Sequence, residues 1–486
     1  MRNGRRAAIS GTAEWAPQRR WDTPMFGLEA YGKLAREALD DAGMELGEID
    51  GILCTRLGDA PMFAPAAVAE YLGIATNFGE VVDLGGANAT GMVWRAAAAI
   101  EAGVCDACLC LLPSVPAPPQ PGASARTQNW MMGADAWGAP HGQFDAPYGL
   151  INPNSHFAMV AQRYMYEYDL EPRTLAKIAV QGRENALLNP RAIFRDQPIT
   201  IEDVLSSPMV VDPLHLLEIV MPCSGGAGVV VTTLERAQKT GLRPVMVSGF
   251  GEHITHKSIT YAPSLTQIPI VAAADRAFAM AGVEREAVDV ASMYDCYTIT
   301  VLVTIEDSGF CGKGEGARFV EEHDLRFGGD WPLNTHGGLH VGAGGAGAGG
   351  GLMAEPPRIL PKPTAATAPF WEAAREHRLL LPLTDGGEAY FYPRAFSPGS
   401  LEPGTEWVEA SGRGVLYSYT VDRRGTAPAF AARAPYVIGI VELEEGPRMT
   451  TNIVECAIED VRIGMAVEAV YEDVDDEVTL VLFRPV

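Results

Sequence analysis

Basic residues are scarce in this chain: 37 Lys and Arg stand against 61 Asp and Glu, a formal net charge of −24 over 486 residues. Nucleic acid and anionic membrane both demand a basic footprint, so that balance argues against either as a partner. No run of about 18 apolar residues occurs, and no spanning helix is predicted. The N-terminal MRNGRRAAISG starts basic but lacks the apolar stretch of a secretory signal. Eight cysteines are too few for a disulfide scaffold at this length, which points to a reducing, cytoplasmic setting. Cys105, Cys108 and Cys110 alternate in VCDACLCLLP as in a buried strand. No second Cys/His pair lies beside them, so they read as structural thiols rather than metal ligands.

What the chain does hold is apolar substance and glycine. Hydrophobic residues make up 47%, enough for a sizeable core, and the length fits two to four domains. RRAAISGTA and IDGILCTRL read as strands. Met25 to Ala42 carries Leu28, Leu34, Ala35, Ala38 and Leu39 at helical spacing and stops at Gly43. APAAVAEYLGI is a second helix. DLGGANATGMVWRAAAAIEAGVCDACLCLL runs turn, helix, strand, with Gly103 at the helix C-terminus. Strands separated by helices predict a layered α/β sheet. Residues 113–149 are proline-rich and aperiodic, yet hold Trp130, Trp137, Phe144 and Tyr148, which predicts an ordered loop covering substrate or contacting a subunit. Strand and helix then alternate again from RPVMVSGFGE through ADRAFAMAGV and VDVASMYDC to YTITVLVTIEDSGF. The run GAGGAGAGGG at 342–351 has linker composition, and a Pro-rich spacer follows it. Beyond a short helix, FWEAAREHR, lie short strand patterns separated by turns: VLYSYTVD, PYVIGIVELE, RMTTNIVE, AVEAVYEDV and TLVLFRPV. They predict a small barrel or sandwich.

Several separated stretches carry a shared pattern. They are SHFAMVAQRYM, NPRAIFRDQPITIEDVLSSPMVVDPLHLLE, SGGAGVVVTT, MYDCYT and LNTHGG. In this order they resemble the thiolase superfamily, in the branch of sterol-carrier-protein-type thiolases and lipid-transfer-protein aldolases of steroid side-chain breakdown. The likeness spans most of 5–340. From APFWEAAREHR onward the chain resembles the OB-fold domain of unknown function 35, an acyl-CoA-associated module that partners such enzymes. The resemblance implies a thiolase-like layered α/β/α domain over 1–352 and a small all-β OB-fold domain over 353–486. It also implies an acyl-CoA substrate and a homodimer, with a hydratase or another domain-35 protein as a further partner.

Thiolases set a nucleophilic cysteine at the N-terminus of a buried helix, where the dipole and free N–H groups favour the thiolate. In the matching GGANATGMVWRAAAA that position holds Asn88, and an amide cannot form an acyl-enzyme. Asn88 either caps its helix or donates to the thioester region. In MYDCYTIT the common thiolase histidine is replaced by Tyr294, the aldolase-like variant. A retro-aldol needs a base for the β-hydroxyl proton, stabilisation of a thioester enolate, and an acid to protonate it. A phenol titrates near 10, so Tyr294 serves as base only with a depressed pKa, and otherwise as proton donor. Asp295 is expected as hydrogen-bonding support and Cys296 as a candidate for direct chemistry. LNTHGGLHVGAGG resembles the family's oxyanion-hole loop. There Asn334 and His336 offer donors, Gly337 and Gly338 let the backbone approach, and His340 stands near the family's catalytic histidine or tyrosine.

The chain departs from the family in two places. After the Gly-Gly loop the family continues with a long helix and a terminal strand pair. This chain enters its glycine run instead, so the thiolase-like domain reads as truncated. Domain-35 proteins usually bind zinc through two CxxC pairs, and the matching TDGG (384–387) and SPGS (397–400) contain no cysteine, so no metal and no cofactor beyond the substrate's coenzyme A is expected. Gly225, Gly226 and Gly228 read as a strand-entry turn, and His253 and His256 as a polar loop. The leading expectation is cysteine-independent retro-aldol cleavage of a β-hydroxyacyl-CoA. The alternatives are an acetyl-CoA acetyltransferase using Cys296 or Cys223, and a non-catalytic acyl-CoA or lipid-binding scaffold.

Overall fold

A computed structural model describes residues 5–19, 21, 25–58, 60–115, 133–221, 223–240, 243–338, 358–403, 406–425 and 428–486. Its first part is a six-stranded sheet in the order Phe78–Val81, Gly51–Cys54, Ala107–Ser114, Ser224–Thr233, Ala7–Gln18, Val245–Met246. The first three strands are parallel and the remaining pairings antiparallel. Side chains alternate between two faces, as a period of two dictates. Ile52, Leu109 and Val230 join Leu34 and Ala38 of helix Gly27–Ala42 in one core. Leu53, Cys108, Cys110 and Val231 join Met92 and Ala96 of helix Asn88–Ala102 in the other. Both helices end on left-handed glycines, Gly43 and Gly103, as their sequence predicts. The three clustered cysteines are buried in this sheet and unpaired.

The second half departs from expectation. Its helices form: Pro153–Tyr168, Pro172–Leu188, Ile270–Ala281 and the almost wholly buried Thr298–Asp307, the centre of a third core. Its strands do not. RPVMVSGFGE yields only Val245–Met246, and VDVASMYDC yields one isolated bridge, Ala291 to Leu333. A strand needs neighbours to satisfy its backbone groups, and among the described residues no second sheet forms beside these segments.

The C-terminal part is a closed five-stranded barrel of Arg413–Asp422, Tyr436–Leu443, Arg448–Ile453, Ala466–Asp473 and Thr479–Pro485. The boundary expected at 352/353 lies outside the described residues. The barrel is joined closely to the first part. The hairpin Met209–Val211/Leu214–His215 extends its sheet beside Asp422, and Arg423 grips Asp212 through a two-pronged pair at 2.8 and 2.7 Å. Ser418 Oγ donates to the Met159 carbonyl at 2.7 Å, inside helix Pro153–Tyr168. The described end of the proline-rich loop, 133–149, docks here too. Phe144 packs in the barrel's core against Trp371, Phe391 and Tyr392, with ring centroids 5.6, 5.0 and 5.7 Å away.

Candidate active site

The site forms where the N-terminus of helix Asn88–Ala102 meets the segment before helix Thr298–Asp307. Asn88 begins its helix but does not cap it. Its Oδ1 turns back to accept the Leu84 N–H at 2.6 Å and so closes the turn Leu84-Gly85-Gly86-Ala87. Tyr294 lies on that turn. A Cβ on Gly86 would collide with Cζ, Cε1 and Cε2 of the Tyr294 ring. The structure thus brings Tyr294 onto the turn that leads into Asn88.

Although 45% of Tyr294 is exposed, its hydroxyl is turned toward Cys296. Burial of that end, with Cys296 and Asp295 alongside, pushes the phenol pKa above its ordinary range. At neutral pH it is a proton donor. Cys296 is buried, with Sγ 3.6 Å from Thr300 Oγ1, and burial pushes its thiol up to about 12. A thiol in that state is a poor nucleophile.

The Gly-Gly loop is tied to the same segment by three contacts. Asn334, at φ 46°, accepts the Met293 N–H on Oδ1 at 2.8 Å and donates from Nδ2 to the Met293 carbonyl at 3.0 Å. One N–H of its amide is therefore committed to fixing the residue before Tyr294, which gives Asn334 a positioning part beside the donor role expected of it. Gly338 lies against the buried Asp295, whose carboxylate a Cβ at 338 would strike. Gly337, at φ 107°, packs on Ala186 of helix Pro172–Leu188. The His336 side chain is exposed, and its carbonyl accepts from Asn189 Nδ2 at 2.9 Å. His340 falls outside the described residues.

Two organising groups gave no sequence signal of their own. Asn185 is fully buried on helix Pro172–Leu188; it donates to the Leu333 carbonyl at 2.9 Å and accepts the Phe327 N–H at 2.6 Å. Arg95 of helix Asn88–Ala102 pairs with Glu252 at 2.7 and 3.0 Å and with Glu80 at 2.9 Å, pinning the helix to the 247–252 loop. His256 shares a 2.7 Å hydrogen bond with Thr255, and His253 is exposed. Among the described residues no cluster of three or more His, Cys, Asp or Glu is arranged for a metal. At the turns that carry zinc ligands in domain-35 proteins, Asp385 Oδ1 accepts from Ser397 Oγ at 3.0 Å and Ser400 Oγ at 3.1 Å. Hydroxyls around one carboxylate do not fit zinc, which takes thiolate and imidazole. No helix among the described residues is long and apolar enough to cross a membrane.

Residues 251–360 match the thiolase C-terminal domain-like family and 407–472 the C-terminal OB-fold domain of ChsH2. A steroid side-chain-cleaving aldolase of Thermomonospora curvata is 31% identical, covering 62% of this chain and 77% of the relative. A 17-hydroxy-3-oxo-4-pregnene-20-carboxyl-CoA lyase of Mycobacterium tuberculosis is 32% identical over 64% and 81%. A solved Ltp2-ChsH2(DUF35) aldolase superimposes with a TM-score of 0.61 at 30% identity, covering 70% of this chain and 86% of that one. A monomeric SCP2-thiolase-like protein of Mycobacterium smegmatis shares the fold over 98% of both chains, with a TM-score of 0.61 at 16% identity. With these identities spread over 77% and 81% of the two relatives, the chain belongs to the thiolase-fold aldolases and carries a ChsH2-type OB-fold domain in the same polypeptide.

Proposed function

We propose that this protein cleaves a carbon–carbon bond of a β-hydroxyacyl-CoA by retro-aldol chemistry, on a steroid-type side chain such as the aldolase relatives are named for. The observation that carries the reading is the seating of Tyr294 on the Gly86 turn beside Asn88. Loss of the β-hydroxyl proton breaks the Cα–Cβ bond, releases a ketone and leaves the thioester enolate. Tyr294, held as a neutral phenol, protonates that enolate. Asn334 and Asp295 hold the segment and the Gly337–Gly338 backbone in register, and His336 and His340 are the candidates for the base. Acyl transfer is disfavoured because Asn88 supplies no nucleophile and the Cys296 thiol stays protonated. A 3-hydroxyacyl-CoA with a branched tail is the substrate to test, read by ketone and short acyl-CoA release. Tyr294→Phe should lower kcat by about 10²-fold or more; undiminished turnover in that variant refutes the assignment.

The protein is also proposed to work as a cytoplasmic homodimer. Among the described residues the edge strand Phe78–Val81 has no neighbour on its outer side. Beside it, Gly79 lies against Pro65, and the adjoining Met62 and Phe63 are 70% and 77% exposed. An open edge next to exposed apolar side chains suits pairing with a second copy. Light scattering gives the mass directly, and a monomer at micromolar concentration overturns this part.

A further inference from the structure

The short segment that carries Tyr294 is held at three points. The first is the Asn334 amide on Met293. The second is main chain: the Val220 N–H donates to the Cys296 carbonyl at 2.9 Å, and Ile219 pairs with Tyr297 in an isolated antiparallel bridge. The third is a side chain that the cleavage chemistry does not use. Tyr297, only 1% exposed, donates from its hydroxyl to Asn154 Oδ1 at 2.6 Å. Its ring stacks on Phe157, with centroids 4.6 Å apart and planes 25° apart. Stacking fixes the plane of the ring, and the hydrogen bond fixes its direction. Burial, with Cys296 and Tyr294 alongside, pushes the phenol above its ordinary range, so the hydroxyl keeps the proton it donates.

Both partners of Tyr297 belong to helix Pro153–Tyr168. Asn154 is its second residue, and its own N–H donates to the capping Asn152 Oδ1 at 3.0 Å. Further along, the barrel holds the same helix. Besides the bond from Ser418 Oγ to the Met159 carbonyl, Arg163 Nη1 donates to the Tyr417 carbonyl at 3.0 Å. The Arg163 guanidinium also stands 4.1 Å from the centroid of the Tyr417 ring. At 1.5 Å of rise per residue, Asn154 and Arg163 are the ends of a strut about 14 Å long. The catalytic segment grips one end of this strut and the barrel grips the other.

We propose that Tyr297 is a positioning residue for the carbon–carbon cleavage: its hydrogen bond to Asn154 sets Tyr294 on the Gly86 turn, and does so from a helix whose placement the barrel fixes. This rests on Tyr294 as the acid of that cleavage. Tyr297 touches no reacting atom. Without its hydrogen bond the segment keeps its ties at Met293 and Cys296, so the loss shows in the placement of Tyr294 rather than in folding.

Ketone release by the full-length protein gives kcat and KM for each variant. Tyr297→Phe and Asn154→Ala should each lower kcat about 10-fold with KM within about twofold. Combined, they should cost no more than either alone. Asn154→Asp keeps an acceptor for the hydroxyl and should stay within about threefold of wild type. In the Tyr294→Phe background, Tyr297→Phe should cost nothing further. Ser418→Ala, at the barrel end, should lower kcat about threefold, and only while the Tyr297 hydroxyl is present. Hydrogen exchange of the peptide spanning 293–297 needs no turnover, and its amides should open about 10-fold faster in Tyr297→Phe. Unchanged exchange, or a full cost of Tyr297→Phe on top of Tyr294→Phe, overturns the positioning role. No cost of Ser418→Ala, or one that persists without the Tyr297 hydroxyl, overturns the barrel's part. Absence of ketone release from wild type counts against the cleavage assignment, and the exchange measurement then decides the tie by itself.

Discussion

Adding one methyl group at Gly86 tests the site without touching a functional side chain. Gly86 is exposed and, unlike Gly85 at φ 59°, is not in the left-handed region, so alanine suits its backbone. The obstacle is the Tyr294 ring, whose Cε1 and Cε2 would both lie 2.6 Å from the new Cβ. Ordinary carbon contacts are about 3.5–4.0 Å, so the ring has to retreat by roughly 1 Å. A misplacement of that size costs about 10²-fold in turnover, equivalent to about 2.7 kcal/mol of transition-state stabilisation. Stability should change by under about 1 kcal/mol, since the displaced ring already has an open face. Ketone release gives kcat and KM, and thermal unfolding gives the stability. Gly86→Ala should lower kcat with Tm nearly fixed, and should cost little more once Tyr294→Phe is present, because both changes act through one hydroxyl. Turnover within about twofold of wild type, or an undiminished cost in the Tyr294→Phe background, refutes the placement of Tyr294.

Three further outcomes are expected. Because burial raises the Tyr294 pKa, its donor form is complete at neutral pH and is lost only as pH rises above 10; a Tyr294-dependent fall in kcat below pH 9 contradicts this. Phe144→Ala empties a core position at the domain junction and should cost about 3–5 kcal/mol, read by urea unfolding. The hydroxyls of Ser397, foremost, and Ser400 lower the Asp385 pKa. The stability this carboxylate gives is present above its unfolded pKa, about 3.9, and is lost as pH falls through the lower folded value. The Tm gap between wild type and Asp385→Asn should therefore shrink on acidification below about pH 4 and be steady above pH 5.

Where the sequence was informative, the signal was local. Leu34 and Ala38 at helical spacing before Gly43, and Ile52 and Leu53 alternating before a turn, each report their own surroundings. Tyr294, Asp295, Gly337 and Gly338 were found because their short motifs stand in family order, and the fold does draw them together. The positioning part of Asn334 was not legible, because an amide without partners and one paired with Met293 look the same in a sequence. Asn185 and Arg95 were missed because their partners lie 148 and 157 residues away. The segment VDVASMYDC was harder still, since it has strand composition and lacks only neighbours among the described residues. Likewise the hairpin at 209–215 gives no hint of pairing with Asp422, more than two hundred residues on.

That hairpin has a consequence for assembly. Because the barrel and the strand it captures share one polypeptide, their encounter is unimolecular, with an effective concentration set by the connecting chain rather than by expression level. Dilution cannot separate the two modules, and each catalytic half has its barrel in fixed one-to-one ratio.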